Sequence, residues 1–587
     1  MKSLLLTLGH NSSAIYVELG KKPIGYEEER FTGIKADSQF PKNAIAEIIS
    51  NVGLNNMKGC NIFISHWFNF NRSVIPNKYI TQTDLDNLKE ISTDITFVSP
   101  EFTHHDAHAW SAKAFFNYHL NKPENYIQRA ILNSNKDAHI IVADGFGNNG
   151  EVLSVYKIDD CEKESSPKLI HRVYGYENSI GLMYQYATSY VGMKENQDEY
   201  KFLGYEAHID EYLSNNQIEI LNNKINRMTD SLWTSFVTSA NKNSYDVKDE
   251  IIDFNALEYT KRTWYAVFDK MYKDVWTESL MNHYSAKENE FIQRTIVAYC
   301  LQQTVERFFK RLVEYFDIHN AIVCGGSFYN VKLNNCIFNS IPGLFCAMPL
   351  AGDQGAAIGL YDYYTDNQFD FETLCIGKRN FYSAEKTFKG NFYKEATDDL
   401  AKEIARKIVD GNIVDLVHGS MEFGPRALMH TSSLFLPTTE NTAQNNANNL
   451  RNEVMPCAPV CTKENACRLF GIENIQRVVG SDEFMILTHT YLKDYSEFYG
   501  GVMHKIVLED GHSGRPQIVR SGTFEEKILQ YIEELSDVKC LVNTSFNKHG
   551  TPILFNMKQI KDDWNFQVEH SKANGFKKQP LIYVIED

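Results

Sequence analysis

Two histidines four residues apart offer the sharpest chemistry in the sequence. In Phe102-Thr103-His104-His105-Asp106-Ala107-His108, a helix would set His104 and His108 on one face, a common way to hold one metal ion. Two imidazoles are too few for a full site. The natural completions are Asp144 and Asp353, each beside glycine and each expected at the end of a strand. A His2Asp2 set with open positions suits one divalent metal such as Fe2+, Mn2+ or Zn2+. The same spacing also fits a surface helix whose histidines simply pair with Asp106.

Two glycine turns could receive a nucleotide. Gly325-Gly326-Ser327 follows the apolar run Ala321–Cys324, and Gly352-Asp353-Gln354-Gly355 precedes an expected helix. Glycine lets backbone approach a phosphate, and a helix N-terminus favours anions. Structural turns in an α/β domain would look the same, and no G-x-x-x-x-G-K-[ST] run is present. In the last third, Gly424-Pro425-Arg426 sets an arginine in a shaped turn suited to bidentate phosphate binding. Asn543-Thr544-Ser545-Phe546-Asn547 gathers small and polar side chains at a strand end. Near the N-terminus, Gly9 and the polar turn His10–Ser13 join two apolar strands and could present N–H groups to an anion, though an ordinary hairpin reads the same way.

The elements that must position these residues are those of an α/β protein. Leu4–Leu8, Ala14–Val17, Ala138–Ala143, Glu151–Ile158 and Ala321–Cys324 read as strands. Ser285–Phe316 reads as a long helix opened by a Ser285/Glu288 capping box. Periodicity fades around Tyr361–Gly390, which places a junction at 366–390 between a domain over 1–365 and another over 391–587.

The chain has 587 residues, 43% hydrophobic and 23% charged, enough to bury a large core. Its formal net charge of −16 argues against a generally basic, nucleic-acid-binding surface, though a local basic groove remains open. Eleven cysteines show no CxxC pair, which fits reduced thiols in a cytoplasmic protein. Neither a signal peptide nor a membrane-length apolar run is expected.

Taken together, these residues resemble the NodU/CmcH-type O-carbamoyltransferases, nearly end to end. The likeness runs from Gly9–Ala14 and Glu27-Glu28-Glu29-Arg30-Phe31 through His104–His108, Asp144-Gly145 and Glu199–Gly204. It continues in Cys324–Asn330 and Gly352–Gly355, and closes with Met421–Leu428 and Asn543–Asn547. The resemblance implies a Kae1-like domain of the actin/Hsp70-type ATPase superfamily followed by a YrdC-like α/β domain. It implies that carbamoyl phosphate is cleaved in the second domain, that the carbamate is joined to AMP from ATP with Mg2+, and that the first domain transfers the carbamoyl group to a hydroxyl beside a metal, usually iron.

By residue match, His104, His108, Asp144 and Asp353 would be the metal ligands. Gly325, Gly326 and Asn330 would lie at the adenine nucleotide. Arg426, Arg515, Ser545 and Asn547 would lie at the donor and adenylate. His10 is a candidate general base, or a structural residue of its turn. The sequence departs from the family where Gly-Asn-Arg-Ser is replaced by Met429-His430-Thr431-Ser432 and Arg-Pro-Phe-Ala-Pro by Met455-Pro456-Cys457-Ala458-Pro459, each losing an arginine.

The expected activity is therefore ATP-dependent O-carbamoylation of a sugar, a natural product or a hydroxymethylated nucleobase, the enzyme acting without a membrane, with a homodimer among its expected assemblies. The alternatives are a threonylcarbamoyl-type tRNA-modifying fusion, which should carry basic tRNA-binding segments not found here, and a non-catalytic nucleotide sensor.

Overall fold

The structure is a computed structural model describing residues 1–68, 75–161, 165–239, 253–365, 368–451, 457–495 and 499–587. Its N-terminal part is built on two five-stranded sheets with one topology. The first holds β1 (Lys2–Thr7), β2 (Ser13–Glu18), β3 (Ile24–Glu27), β4 (Asn61–Ser65) and β5 (Ile95–Phe97), in the order β3-β2-β1-β4-β5. The second holds β6 (Ala138–Ala143), β7 (Glu151–Ile158), β8 (Lys168–Tyr174), β9 (Ala321–Cys324) and β10 (Phe345–Ala347), in the order β10-β9-β6-β7-β8. In each, the first three strands form an antiparallel meander and the last two add in parallel. This doubled α/β unit agrees with the two-part layout expected of the N-terminal domain from the sequence resemblance.

Strand alternation assigns the two faces. Leu4 and Leu6 join one core while Leu5, between them, joins another. In β6, Ile140 and Val142 face the same core as Leu5, whereas Ile141 and Ala143 turn away. That shared core holds two helices, His104–Leu120 and Ala356–Thr365. They cross where Gly359 lies so near the Ala107 carbonyl that a Cβ would sit 1.8 Å from it, so only glycine fits. The long helix Ala286–Tyr315 begins at the Ser285/Glu288 capping box, as its sequence predicts.

The C-terminal part is a second α/β unit. It contains β11 (Cys375–Gly377), β12 (Phe392–Tyr393), β13 (Val414–His418), β14 (Met421–Glu422), β15 (Thr431–Phe435), β16 (Ala458–Cys461), β17 (His489–Thr490), β18 (His504–Lys505), β19 (His512–Gly514), β20 (Gln517–Ile518), β21 (Leu541–Ser545) and β22 (Leu581–Ile585). Seven of them form one sheet, β12-β22-β13-β15-β21-β16-β20. Helices Asp398–Val409 and Phe524–Ser536 cover one face of it.

Three sequence expectations change. The 366–390 stretch is folded where described: Phe369 and Phe371 are buried in the N-terminal core, and β11 pairs with β14. Its buried side chains are unevenly spaced, Phe369 and Phe371 alternating and Leu374 to Ile376 consecutive, so they leave no periodic trace. Residues 477–479 turn back beside the second sheet, where the Phe345 N–H donates to the Arg477 carbonyl and the Val479 N–H to the Phe345 carbonyl, each at 2.9 Å. Asp353 does not end a strand; β10 stops at Ala347, and Asp353 opens a 3-10 turn that leads into Ala356–Thr365. No described helix is long and apolar enough to cross a membrane.

Candidate functional site

The helix bearing the two histidines starts at Thr103, whose hydroxyl accepts the Asp106 N–H while Asp106 receives the Thr103 N–H. Asn148 fixes the start further by accepting the His104 N–H at 2.7 Å. Arg172 draws Asp106 (2.8 Å) and Glu151 (3.2 Å) together, which locks this end of the helix to β7 and β8. The alternative sequence reading, histidines paired with Asp106 on a surface, is thereby answered: Asp106 caps the helix and binds Arg172, and His104 and His108 are fully buried.

His104 and His108 place their Nε2 atoms 3.1 Å apart. Asp144 Oδ2 lies 3.4 Å from one and 3.5 Å from the other, and Asp353 Oδ1 lies 3.4 and 3.8 Å from them. A metal with ligands at ~2.0–2.2 Å needs neighbouring donors roughly 3.0–3.5 Å apart, so these four atoms fit one ion. The donor set, two imidazoles and two carboxylates, suits a borderline divalent cation.

The charge states agree. Burial opposes ionisation of Asp144, but hydrogen bonds from His104 and His108 hold its carboxyl well below the usual range. Asp353 is held low in the same way, with His104 dominant against burial. Burial lowers His108, yet Cys324 and the two aspartates raise it well above its ordinary value. Two carboxylates at this spacing thus hold proton or metal charge between them. Cys324 Sγ stands 3.5 Å from His108 Nδ1, on the far side of the ring from the cluster. His66, unnoticed in the sequence, stacks on Phe68 nearby, and burial followed by His104 pushes it down to about 3.

The cluster opens into a single cavity of about 740 Å³. Asp144, Asp353, Gly326, Asn330 and Gly352 line it, as does His10, whose Nε2 has no hydrogen-bond partner. The Gly326 and Gly352 turns meet there through a 2.5 Å bond from Gln354 Nε2 to the Tyr329 hydroxyl. Asn330 is partly committed: it caps the helix Val331–Ser340 and donates to Tyr184 and Gln302. Gly325 and Gly355 do not line the cavity. A Cβ on Gly325 would sit 2.3 Å from the Ala143 carbonyl, and one on Gly355 2.3 Å from that of Leu350, so these glycines serve packing.

The C-terminal part supplies the opposite wall with Arg426, Arg515, Ser545 and Asn547. Arg426 Nε has no hydrogen-bond partner among the described residues. Arg515 makes one long bond, 3.3 Å to the Met485 carbonyl. Neither guanidinium meets a carboxylate among the described residues. By surface area both are half-buried, but they sit deep in the protein, where burial and then Arg426 hold Arg515 well below its ordinary value. Two facing guanidiniums without an acid leave a space fit for an anion.

Two family patterns, one for each end of a carbamoyltransferase, match this chain. The carbamoyltransferase N-terminus pattern matches residues 135–360, and the carbamoyltransferase C-terminus pattern matches 405–567. The chain belongs to the carbamoyltransferase family. It is similar to an uncharacterized protein of Methanocaldococcus jannaschii, 25% identical with 94% of each chain covered. It is also similar to the nodulation protein NolNO of Sinorhizobium fredii, 22% identical over 93% of this chain and 75% of the relative. Among solved structures, a phosphate- and nucleotide-bound full-length HypF aligns at TM-score 0.27 and 13% identity, covering 61% of this chain and 54% of the other.

Two further residues of this carbamoyltransferase escaped sequence reading. Where the family pattern has arginine and this chain has Thr431, Arg379 reaches in from the junction and donates to Thr431 Oγ1 and to the carbonyls of Gly419 and His430, beside Glu422. Met455 and Pro456, the other departure, lie outside the described residues. Beside them Arg451 enters the cavity and donates to the Ser545 carbonyl at 2.8 Å and to Asn547 Oδ1 at 3.2 Å. Ser545 and Asn547 therefore orient a third guanidinium. The Glu27–Phe31 motif has a role too: Arg30 donates to the Gly424 carbonyl at 2.6 Å while Glu27 accepts the Gly424 N–H at 3.0 Å, joining motifs 394 residues apart.

Proposed function

We infer that this carbamoyltransferase is an ATP-dependent O-carbamoyltransferase using carbamoyl phosphate. The observation that carries the reading is the continuity of one cavity between the His2Asp2 cluster and the arginine wall. Carbamoyl phosphate is hydrolysed to carbamate and phosphate. A carbamate oxygen attacks the α-phosphorus of ATP and pyrophosphate leaves. The acceptor hydroxyl then attacks the carbamoyl carbon of the adenylate, and AMP departs with the bonding electrons.

Arg426, Arg451 and Arg515 bind and orient the phosphates, and Gly326 and Gly352 let backbone approach the nucleotide. His104, His108, Asp144 and Asp353 would hold the divalent ion, which when bound polarises a carbonyl or lowers the pKa of an acceptor hydroxyl. His10 lines the cavity, and its buried Nε2 makes no hydrogen bond among the described residues, so it is the candidate to take the acceptor proton. In this assignment residues 391–587 activate the carbamoyl group and residues 1–365 transfer it. Acceptors are sugars, natural products or hydroxymethylated nucleobases.

The test offers carbamoyl phosphate, ATP, Mg2+ and a panel of such acceptors, and follows AMP, pyrophosphate and one added carbamoyl group by mass spectrometry. AMP release that needs both donors is expected. No AMP from any combination would leave a nucleotide-binding protein and overturn the reading.

A further inference from the structure

Outside the cavity, a second group of side chains is arranged for a cation. His418 is the last residue of β13, His430 directly precedes β15, and Glu525 lies in the first turn of helix Phe524–Ser536. One ligand atom from each falls within 4.8 Å of the others. His418 Nδ1 is 2.7 Å from Glu525 Oε1, and His430 Nε2 is 3.8 Å from the same oxygen. The two imidazole rings lie nearly parallel, 5.0 Å between centroids.

The tautomer of His430 is fixed by its neighbour. Its Nδ1 lies 2.7 Å from the His418 carbonyl oxygen, which can only accept, so Nδ1 carries the proton. The Nε2 lone pair is then left free on the side of Glu525, the arrangement of a metal-bound histidine whose other nitrogen is held by a carbonyl.

The partners of Glu525 are imidazoles. It is 8% exposed, and among the described residues no lysine or arginine pairs with it. Burial opposes its ionisation, yet the His418 hydrogen bond holds it down at about 2. Arg379 does not serve it, because its donors go to Thr431 and to the carbonyls of Gly419, His430, Leu554 and Phe555. Glu422 adds a second negative charge felt by His430. A carboxylate buried beside two imidazoles and a second acid, with no lysine or arginine among the described residues to balance them, is completed by a cation.

We propose that His418, His430 and Glu525 form a second metal site, which takes one divalent cation of the Zn2+ type with water filling its remaining positions. Donor separations of 2.7 and 3.8 Å bracket the roughly 3.0–3.5 Å that ligands at ~2.0–2.2 Å require. The site would tie the ends of β13 and β15 to the helix covering them. It would thereby brace Thr431 and Arg379 behind the donor wall.

The test removes the first centre with a His104→Ala/His108→Ala variant of the full chain. The protein is stripped with chelator and reloaded with Co2+, and bound metal is read by elemental analysis and by the d–d absorption of the ion. One equivalent should remain, with absorption typical of nitrogen and oxygen ligands, and the melting temperature should rise on loading. Adding His430→Gln should abolish the uptake, the absorption and the thermal gain. Glu525→Gln in the same background repeats the measurement, and circular dichroism confirms that each variant is folded. The proposal is overturned if the double variant takes up no Co2+, or if folded His430→Gln and Glu525→Gln versions still bind it as the double variant does.

Discussion

The backbone N–H of Gly326 donates to Asp144 Oδ1 at 3.2 Å, so the glycine turn and the cluster of His104, His108 and Asp353 share one carboxylate. The same oxygen accepts the Gly145 N–H at 2.7 Å, while Oδ2 faces His104 and His108. Asp144 thus holds its ligand oxygen in place by fixing the other one, the usual way a carboxylate ligand is oriented. A nucleotide phosphate on this turn would sit one residue from the acceptor chemistry.

Gly326→Val should therefore damage two sites at once. A Cβ at position 326 would come 2.8 Å from Asp144 Oδ1, and the carboxylate would have to shift. Metal affinity should fall by roughly ten- to a hundredfold, as for loss of a carboxylate's supporting bond, together with nucleotide affinity. Elemental analysis and nucleotide titration on the same folded sample check this. Loss of nucleotide binding with metal content unchanged would mean that Asp144 does not depend on the turn.

Arg515→Gln should make the ligand-free protein more stable and the enzyme worse. The substitution relieves the repulsion between Arg515 and Arg426, neither of which has an acid partner. A gain of about 1 kcal/mol in unfolding free energy is expected, of the kind obtained by relieving a strained functional site. Removing a charged hydrogen bond to the donor phosphate costs about 1.5–3 kcal/mol, roughly ten- to a hundredfold in kcat/KM for carbamoyl phosphate. Arg426→Lys, which keeps charge but loses the planar fork, should impair the same parameter without the stability gain. Denaturant melts and steady-state kinetics separate the two effects.

How much of this was legible beforehand depends on the distance over which each signal acts. The His104/His108 pair was legible because helical spacing is local, and its capping residues Thr103 and Asp106 stand beside it. Asp144 and Asp353 were legible only as glycine-flanked acids; the crossing of two helices at Gly359 brings Asp353 in, and nothing in its own neighbourhood says so. Arg379 was missed because it reaches Thr431 from a distant part of the chain, and Arg451 because it stands outside the motif whose side chains it meets. Arg451 did leave a trace, a lone cation in the polar stretch before Met455. Gly325 and Gly355 look like their neighbours in sequence, but only three-dimensional packing turns them away from the cavity. The repeated sheet order needed strand pairing, which no single sequence displays.

Asp415 gives the protein a pH-dependent stability with a defined sign. It is fully buried, and burial, opposed by a 2.5 Å hydrogen bond with Ser433, pushes its carboxyl up to about 7. In the unfolded chain it would titrate near ~4. Between those values the folded state holds a proton that the unfolded state releases. Stability is therefore full below about pH 4 and falls as pH rises toward 7, with a slope approaching ~1.4 kcal/mol per pH unit from this group. Asp415→Asn should remove that contribution. Urea melts should find the variant more stable than the parent at pH 8 and no better at pH 4; an equal difference at both pH values would show that Asp415 is ionised throughout.

Activation and transfer should separate by mutation even though they share a cavity. Adenylate formation needs cations and backbone donors around phosphates, and Arg426, Arg451 and Arg515 supply the cations from the C-terminal wall. Transfer to an alcohol needs an acid or base beside the acceptor, and the N-terminal wall has Asp144 and Asp353 on the cavity with the buried His104 and His108 behind them. A carbamoyl-adenylate released to water would hydrolyse, so a continuous interior gives it a protected route between the two walls. The clasp between Arg30 and the Gly424 carbonyl keeps those walls in register. His108→Ala removes a metal ligand that contacts none of the arginines, so it should cut carbamoylated product by at least about a hundredfold, the cost of about 3 kcal/mol in the transition state. The same variant should still consume ATP and carbamoyl phosphate and release pyrophosphate at a rate within a few-fold of the parent. If folded His108→Ala instead loses pyrophosphate release along with product, the metal acts in activation, and the division between residues 391–587 and 1–365 is wrong.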